Sequence, residues 1–483
     1  MKAFLFADIV GIVCTIISQI NYIKGWHLKN ETYVGGNKLL LAIVLSILTY
    51  WLFAQSFLNI GSLVQQTYMT NDAIISIAVS LTSLFTGVFM VAAGGTADKY
   101  GRVKIMRVGL ILNIIGSIFV ISSDLTPLLL IGRGIQGFSA ACLMPATISL
   151  INTYYHGKER HKALSMWSIG SYGGTGLSSV FAGFLAAYIG WQWIFIVSII
   201  VTGIVLILIK DVPEIKADRK NTSKFDFLGL LLFVISMLSI NIVITQSGEI
   251  GWTSPIIIVL LLIFIISVVL FYFYEKHKKD PLIDFSLFSS RYFIGTVTSN
   301  FLLNTSIGAL SLYNLFTQQH FKISGSISGL ITLPYMFGVL ATIRIGEKMM
   351  EQYEAKKPMK MGSLIVTVGI LLLSLSFLPQ TLYIIVSLIG FLCFGMGLGF
   401  FATPALNTAV VHTPKEKLGI ASGIYKMVAT IGAAFGITIF TTVYLAIDEQ
   451  VSRTMGSFIA FLVCTLFMFL SFISTKYIIP DKE

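Results

Sequence analysis

The sequence predicts an all-α, polytopic membrane protein with about fourteen transmembrane helices. Hydrophobic residues make up 55% of its 483 residues and charged residues only 11%, whereas soluble domains carry about 25% charged residues. Apolar stretches long enough to cross a bilayer, about 20 residues each, follow one another from Leu39 almost to the C-terminus. Basic residues fall in short clusters between these stretches. Most of the chain is therefore expected to lie in lipid.

The apolar stretches form a set of six, a pair and a second set of six. In chain order the predicted spans are 38–61, 73–95, 105–123, 126–152, 163–186 and 193–209, then 226–246 and 254–274, then 292–316, 325–346, 361–378, 381–410, 418–446 and 455–478. This order predicts an N-terminal extension (1–35), a six-helix bundle (36–210), a cytoplasmic linker (211–225), two inserted helices (226–275), a second cytoplasmic linker (276–291) and a second six-helix bundle (292–483).

The distribution of basic residues predicts the orientation of these spans. Counted together with the residues beside them, alternate loops hold every Lys and Arg except Lys2, Arg133, Lys322 and Arg453. Lys and Arg are retained in cytoplasmic loops. The asymmetry therefore places both ends of the transport body in the cytoplasm of a multi-pass cell-membrane protein.

Residues 4–22 form a separate apolar stretch that contains Asp8, Ser18, Gln19 and Asn21. No small-residue cleavage site follows it convincingly. We expect a peripheral or reentrant helix here, with a further span as the alternative.

A weak internal repeat relates the two sets of six. Residues 137–145 and 395–404 are both Gly-rich and end in proline, and each stretch is followed by a basic loop. Two related helical bundles with a site between them are the architecture of many secondary transporters. On this reading, 226–275 is an insertion between the bundles.

The strongest motif occupies the loop between the second and third spans, from Gly94 to Lys104. Its glycines allow a tight turn and a close helix approach, and Asp98 can pair with a cation or cap a helix N-terminus. We predict a cytoplasmic gate formed by Gly94, Asp98, Lys99, Gly101, Arg102 and Lys104; the alternative is a solvated basic loop. The loop closely resembles the cytoplasmic signature of the major facilitator superfamily.

Arg133 lies inside the fourth span, where an arginine costs about 2.5–3.5 kcal/mol on insertion scales. Gln136 is three residues further on and faces nearly the same way. The alternative is an arginine whose head group reaches the outer interface. The segment 130–137 resembles the fourth-span signature of proton-coupled exporters in this superfamily, which implies that Arg133, Gln136 and Asp98 are candidates for proton coupling.

The fifth span carries a face of small residues. Gly170, Gly174, Gly176 and Gly183 favour close packing against a neighbouring helix. The stretch resembles the antiporter signature of exporters, with Thr175 in place of its proline and serines in place of its paired glycines. That departure weakens the hinge or leak-seal role that the signature implies.

Two further segments resemble the fourteen-span drug:proton antiporter branch. Residues 190–195 are similar to its motif before the sixth span, although the aromatics also suit an interfacial belt. Where that branch has a first-span aspartate, this sequence has Ala54. The proton carrier is therefore unassigned, with Asp98, Glu249 and Asp448 as candidates beside a water relay to Arg133.

The stretches 49–56, 139–147 and 423–427 carry a further resemblance. Through them the chain, from Gly36 to the last span, resembles quinolone-efflux pumps of this branch. The resemblance implies a proton-driven exporter of fluoroquinolones and other amphipathic drugs, whose partners are protons, drugs and membrane lipids. It implies no cofactor, because the proton gradient is the energy source. We expect a monomer.

A cavity between the bundles should combine aromatic faces with a few polar groups. Polar and aromatic side chains share helix faces in the first and ninth spans. The candidates are Trp51, Gln55, Asn59, Asn300, Asn304, Tyr313 and Asn314. Interhelical hydrogen bonding explains any one of them equally well.

Other function classes are disfavoured. The histidines lie mainly in loops without metal-ligand spacing, no catalytic constellation or phosphate-binding loop is present, and the basic clusters form no stripe that could follow nucleic acid. We therefore expect neither an enzyme nor a metal site. The remaining alternatives are an exporter of one endogenous metabolite or lipid precursor and, in another class, a membrane sensor that transports nothing.

Overall fold

The computed structural model describes residues 34–70, 72–122, 125–214, 226–278, 281, 283, 285–323 and 325–481. Within these ranges the chain is helical and contains no β-strand. Ten of the described helices are long and apolar enough to cross a membrane. The predicted helix 4–22 lies outside the described residues.

The first set of spans is confirmed as a series of helices with short connections. In chain order these are α1 Asn37–Leu48, α2 Gly61–Tyr68, α3 Asp72–Tyr100, α4 Arg102–Ser122, α5 Thr126–Tyr154, α6 Gly157–Tyr188 and α7 Gln192–Leu208. The short helix α2 was not predicted. The Tyr68 hydroxyl donates to the Val120 carbonyl at 2.6 Å, which ties α2 to the end of α4.

The first span is irregular in its second half. Helix α1 continues as a π-helical segment, Thr49–Ala54, and a 3-10 segment, Gln55–Asn59. Such segments depart from the regular α-helical hydrogen-bond pattern and often occur at functional sites. Ala54, the last residue of the π-helical segment, presents its carbonyl oxygen to Arg133.

The inserted pair consists of α8 Phe227–Ile250 and α9 Pro255–Lys276, which pack against each other. Helix α8 also contacts α3, and it contacts the thirteenth span, where Thr438 donates to the Ile244 carbonyl. Much of α9 is exposed, as expected for a helix that faces lipid.

The second set of spans comprises α10 Arg291–Asn304, α11 Ile307–His320, α12 Gly325–Ile331, α13 Leu333–Tyr353, α14 Lys356–Leu373, α15 Gln380–Val411, α16 Leu418–Gln450 and α17 Arg453–Tyr477. The ninth predicted span is interrupted at Thr305–Ser306, and the tenth at Thr332. Each of the fourteen predicted spans thus coincides with one helix or with two or three consecutive helical segments.

The structure repeats specific contacts in the two sets of six. Helices α5 and α15 each contain an internal proline, Pro145 and Pro404. A Cβ on Gly137 of α5 would overlap the Thr82 carbonyl of α3, and a Cβ on Gly395 of α15 would overlap the Tyr335 carbonyl of α13. The same spans therefore approach closely in both sets, as expected for an internal repeat.

Candidate functional site

Asp98 connects the two sets of six helices. The residue is 2% exposed, and its Oδ2 accepts hydrogen bonds from the backbone N–H of Gly419 at 2.7 Å and of Ile420 at 3.3 Å. These N–H groups belong to the first turn of α16, where they have no partner within the helix. The positive end of the helix dipole also favours a carboxylate there. Asp98 therefore caps a helix of the opposite set.

Arg102 completes this contact, which we call the latch. Its guanidinium donates to Asp98 Oδ1 from Nε at 3.2 Å and from Nη2 at 3.0 Å. Nη2 also donates to the Lys415 carbonyl at 2.6 Å, just before α16, and Nη1 donates to Thr153. The face of the bundle that carries these residues is called the latch side. On this side the latch joins the two sets of six helices in this conformation.

The glycines of the motif have distinct structural roles. A Cβ on Gly94 would overlap the Gly419 carbonyl, so α3 and α16 are in backbone contact. Gly101 has φ +120° and forms the turn between α3 and α4, a conformation that side chains disfavour. Lys99 Nζ lies 5.5 Å from the centre of the adjacent Tyr100 ring, and the Lys104 side chain is exposed.

Glu214 was not predicted as part of this region. Its carboxylate accepts from the backbone N–H of Val103 at 3.0 Å and of Lys104 at 2.7 Å, so it caps α4. Its position in a polar linker gave no sign of this role, because the contact joins residues more than a hundred positions apart.

A second contact on the latch side mirrors the first. In the repeat, α13 corresponds to α3, and α6 corresponds to α16. His161 Nδ1 on α6 lies 3.5 Å from Glu351 Oε1 on α13. Burial and the nearby Arg160 lower the pKa of His161 below its ordinary value, against the opposing effect of Glu351 and Glu347. At neutral pH the imidazole is therefore uncharged.

The lowered pKa of His161 predicts that acid weakens this second contact. A conformation in which His161 is hydrated takes up a proton at a higher pH than the closed one does. The stabilisation of the closed conformation by neutral His161 is therefore fully present above pH 6.5, the ordinary pKa of histidine, and decreases as the pH drops below that value. Each pKa unit by which the closed conformation lowers the pKa of His161 changes the closed-to-open ratio by about tenfold at low pH. Spin labels on the exposed residues Lys158 and Gln352 should separate between pH 7.5 and about 5.5.

The control for this pH experiment is His161→Gln, in which the distance distribution should not change over the same range. Equal pH responses of the parent protein and His161→Gln would contradict the assignment.

Arg133 is buried in the first set of six and is surrounded by neutral groups. Its Nη1 donates to the Ala54 carbonyl at 3.0 Å and to Gln136 Oε1 at 2.7 Å, and its Nε donates to the Ala78 carbonyl at 3.1 Å. The guanidinium carbon lies 4.3 Å from the centre of the Phe57 ring. With 1% of its surface exposed, Arg133 does not extend to an interface.

Ala54 occupies the position at which the sequence resemblance leads us to expect an acidic residue, and its carbonyl oxygen accepts a hydrogen bond from Arg133. The residue lies at the end of the π-helical segment. Among the described residues, no carboxylate forms an ion pair with Arg133. The irregular backbone therefore supplies an acceptor where a side-chain carboxylate would be expected.

Three of the four fifth-span glycines lie in close contacts. A Cβ on Gly170 would lie 3.3 Å from Val44 Cγ1, one on Gly174 would lie 3.0 Å from Trp51 Cβ, and one on Gly176 would overlap Met336 of α13. The packing prediction is wrong for Gly183, because a Cβ there meets no atom within 4 Å and the residue is exposed. Gly176 is the member that brings α6 against the second set.

The cavity candidates of the first span lie near α6. Trp51 is half-buried, packs against Gly174, and has a buried Nε1 without a hydrogen-bond partner among the described residues. Gln55 is also half-buried. The side chains of Asn59 and Glu249 lie outside the part of the chain that the structure describes, so the roles predicted for them stay predictions.

The candidates of the ninth span make contacts within the second set. Asn300 Nδ2 donates to the Tyr425 carbonyl at 2.8 Å, and Asn304 Nδ2 donates to Asn300 Oδ1 at 2.9 Å. Tyr313 is fully buried, with its ring 4.9 Å from that of Phe391. Asn314 Oδ1 accepts from Ser328 at 2.6 Å. These contacts are interhelical or internal, so a role in binding substrate stays a prediction.

Lys426 was missed because the charge count assigned it to the basic loop before the thirteenth span. The structure places it inside α16, with 8% of its surface exposed. Its position in an apolar stretch was the available signal, since a lysine inside a span is expensive. The described residues contain no cluster of three or more His, Cys, Asp or Glu that could hold a metal ion.

Comparison with known proteins is consistent with this geometry. The profile of the Major Facilitator Superfamily matches residues 39–437. Quinolone resistance protein NorB of Staphylococcus aureus strain MRSA252 is 47% identical over 455 residues, which cover 94% of this chain and 98% of NorB. NorB of strain COL gives the same values.

Two solved structures share the fold at low sequence identity. The proton:xylose symporter XylE bound to 6-bromo-6-deoxy-D-glucose has a TM-score of 0.65 at 14% identity, covering 92% of this chain and 95% of that one. The human organic anion transporter MFSD10 has a TM-score of 0.62 at 15% identity, covering 91% and 98%. Family profile, close relatives and fold agree, and the chain belongs to the major facilitator superfamily.

Proposed function

We propose that this protein exports amphipathic drugs, including fluoroquinolones, across the cell membrane in exchange for protons. The observation that carries the proposal is its 47% identity to a quinolone resistance protein over nearly the whole of both chains. The latch between the two sets of six helices supports a transporter mechanism, because it is a contact that can form and break as the two sets move.

The mechanism is a rocking motion of residues 36–210 against 292–483, with 226–275 as an inserted pair. The charge asymmetry of the loops supports a cytoplasmic latch side. In the described conformation Asp98 and Arg102 close that side, which prevents drug entry from the cytoplasm. Breaking the bonds from Gly419 and Ile420 to Asp98 would open it.

Proton coupling is assigned to Arg133, Gln136 and Asp98. A buried guanidinium whose described contacts are all with neutral groups creates a strong local field, because low-dielectric surroundings screen it poorly. That field disfavours a second positive charge nearby, so proton and drug would occupy the central path in turn. The proton gradient is the energy source, no cofactor takes part, and the monomer is the transporting unit.

The function predicts a specific pattern of resistance and exchange. Expressed in a pump-deficient host, the protein should raise the minimal inhibitory concentration of a fluoroquinolone severalfold, and a panel with tetracyclines and quaternary ammonium dyes should define the breadth of substrates. In inside-out vesicles with an acid interior, adding the drug should partly dissipate the pH gradient. The Arg133→Ala variant serves as the matched control.

Unchanged resistance across the panel, together with an unchanged gradient, would contradict drug export. It would favour transport of one endogenous compound.

A further inference from the structure

Lys426 occupies a position that the latch and the shell of Arg133 do not explain. It lies on α16, eight residues after Leu418, at the helix end that receives Asp98. At 1.5 Å per residue this places it about 12 Å from that end, well inside the span. With 8% of its surface exposed, its ammonium group cannot be a solvated loop charge.

The closest aromatic ring beside the ammonium belongs to the opposite set of helices. Lys426 Nζ lies 4.2 Å from the centre of the Trp167 ring on α6, and 5.7 Å from that of the adjacent Tyr425. The indole is fully buried, and its Nε1 donates to Thr147 Oγ1 at 3.0 Å, which fixes the ring. The lysine of one set and the tryptophan of the other therefore face each other at the interface that opens during rocking.

The ammonium has no carboxylate partner among the described residues. Ion pairs within 4.0 Å are present for Arg102 and Arg344, yet Lys426 forms none. A contact with an aromatic face offsets only part of the free energy that desolvating an ion costs. A ligand that brings an anionic group would compensate the remainder.

We propose that Lys426 and Trp167 form a binding site for the carboxylate of an exported aromatic acid. The carboxylate accepts hydrogen bonds from Lys426 Nζ, and the aromatic part of the ligand packs beside the Trp167 indole. Such a charge-assisted contact is stronger than a neutral one and requires a defined position of the acid group. The inference rests on the proposed drug export and specifies its substrate class, to which fluoroquinolones belong through their ring carboxylate.

The test compares two ligands that differ only at the acid group, a fluoroquinolone and its methyl ester, with ethidium as a cation without a carboxylate. Transport into inside-out vesicles and binding to the purified full-length protein are both measured for Lys426→Met, Lys426→Arg and the parent. Lys476→Met is the matched control, because Lys476 also lies over an aromatic ring, 4.9 Å from the centre of Tyr477, but is exposed.

Lys426→Met should bind and transport the acid about tenfold more weakly or worse, the effect expected when a charged hydrogen-bond partner is removed. The ester and ethidium should be unchanged, Lys426→Arg should recover part of the acid binding, and Lys476→Met should behave as the parent.

Equal loss of all three ligands in a folded Lys426→Met variant would overturn the inference, and so would no loss at all. A parent that exports none of them, yet binds acid over ester only when Lys426 is present, would overturn the proposed export while leaving this site in place. A parent without that binding preference overturns the site.

Discussion

The Gly94→Ala variant is expected to keep the latch side open. The added Cβ would overlap the Gly419 carbonyl, and a backbone group cannot turn aside as a flexible side chain can. Overpacking of this kind costs about 1–3 kcal/mol, which corresponds to a shift of about 5- to 150-fold in the closed-to-open ratio. The backbone location of the clash predicts a value near the upper end.

The measurement is thiol labelling at Ser422→Cys, introduced after the four native cysteines have been replaced. Ser422 is fully buried on α16 beside the latch, so its labelling rate reports how often the latch side opens. Gly94→Ala should label faster by one to two orders of magnitude (roughly 10- to 100-fold, from the same cost) and should lose drug export.

Gly95→Ala provides the matched control for this experiment. It adds the same methyl group one residue later, where the nearest atom would be Ile420 Cγ1 at 3.5 Å, an ordinary contact. Its labelling and export should match the parent. If Gly94→Ala also labels at the parent rate, the backbone contact does not control closure.

The Arg133→Met variant is expected to lose proton-driven drug transport. It removes the donors to the Ala54 and Ala78 carbonyls and to Gln136, and it removes the buried charge. Each acceptor left without a partner costs about 1–3 kcal/mol, so a lower melting temperature is expected as well. Stability alone cannot therefore serve as the measure of coupling.

Two transport modes separate coupling from folding. Drug uptake driven by an imposed pH gradient should disappear in Arg133→Met, whereas exchange of labelled for unlabelled drug without a gradient should persist. Arg133→Lys keeps the charge but lacks the planar fork that reaches several acceptors, and it should retain part of the driven uptake. Normal driven uptake in Arg133→Met would refute the coupling role.

Much of the fold could be predicted because each membrane span is encoded locally. A run of about 20 apolar residues is sufficient to identify a helix such as α15 or α17. The breaks at Thr305–Ser306 and Thr332 have only short local signals, the polar run 304–306 and Pro334, which a window of about 20 residues averages out. The π-helical segment of the first span was hidden for the same reason.

Several residues of the site could be predicted from the sequence, but the backbone groups that they contact could not. Asp98 stands out from its spacing with the neighbouring glycines and basic residues, whereas its partners Gly419 and Ile420 carry no polar side chain that could have marked them. The Ala54 carbonyl was equally invisible, because any residue type supplies one. Lys426 could have been recognised, but its nearness to a basic loop concealed it.

The hydrogen bonds that Asp98 accepts from the opposite set of helices come from peptide groups, and this has a consequence for how the protein can vary. Exchanging one side chain for another at position 420 leaves the N–H donor intact, and only proline would delete it. Position 420 is therefore free to change its side chain while the donor to Asp98 persists, whereas position 419 is held to glycine by its backbone contact with Gly94. The aspartate has no such latitude, and selection is expected to fall on that one carboxylate.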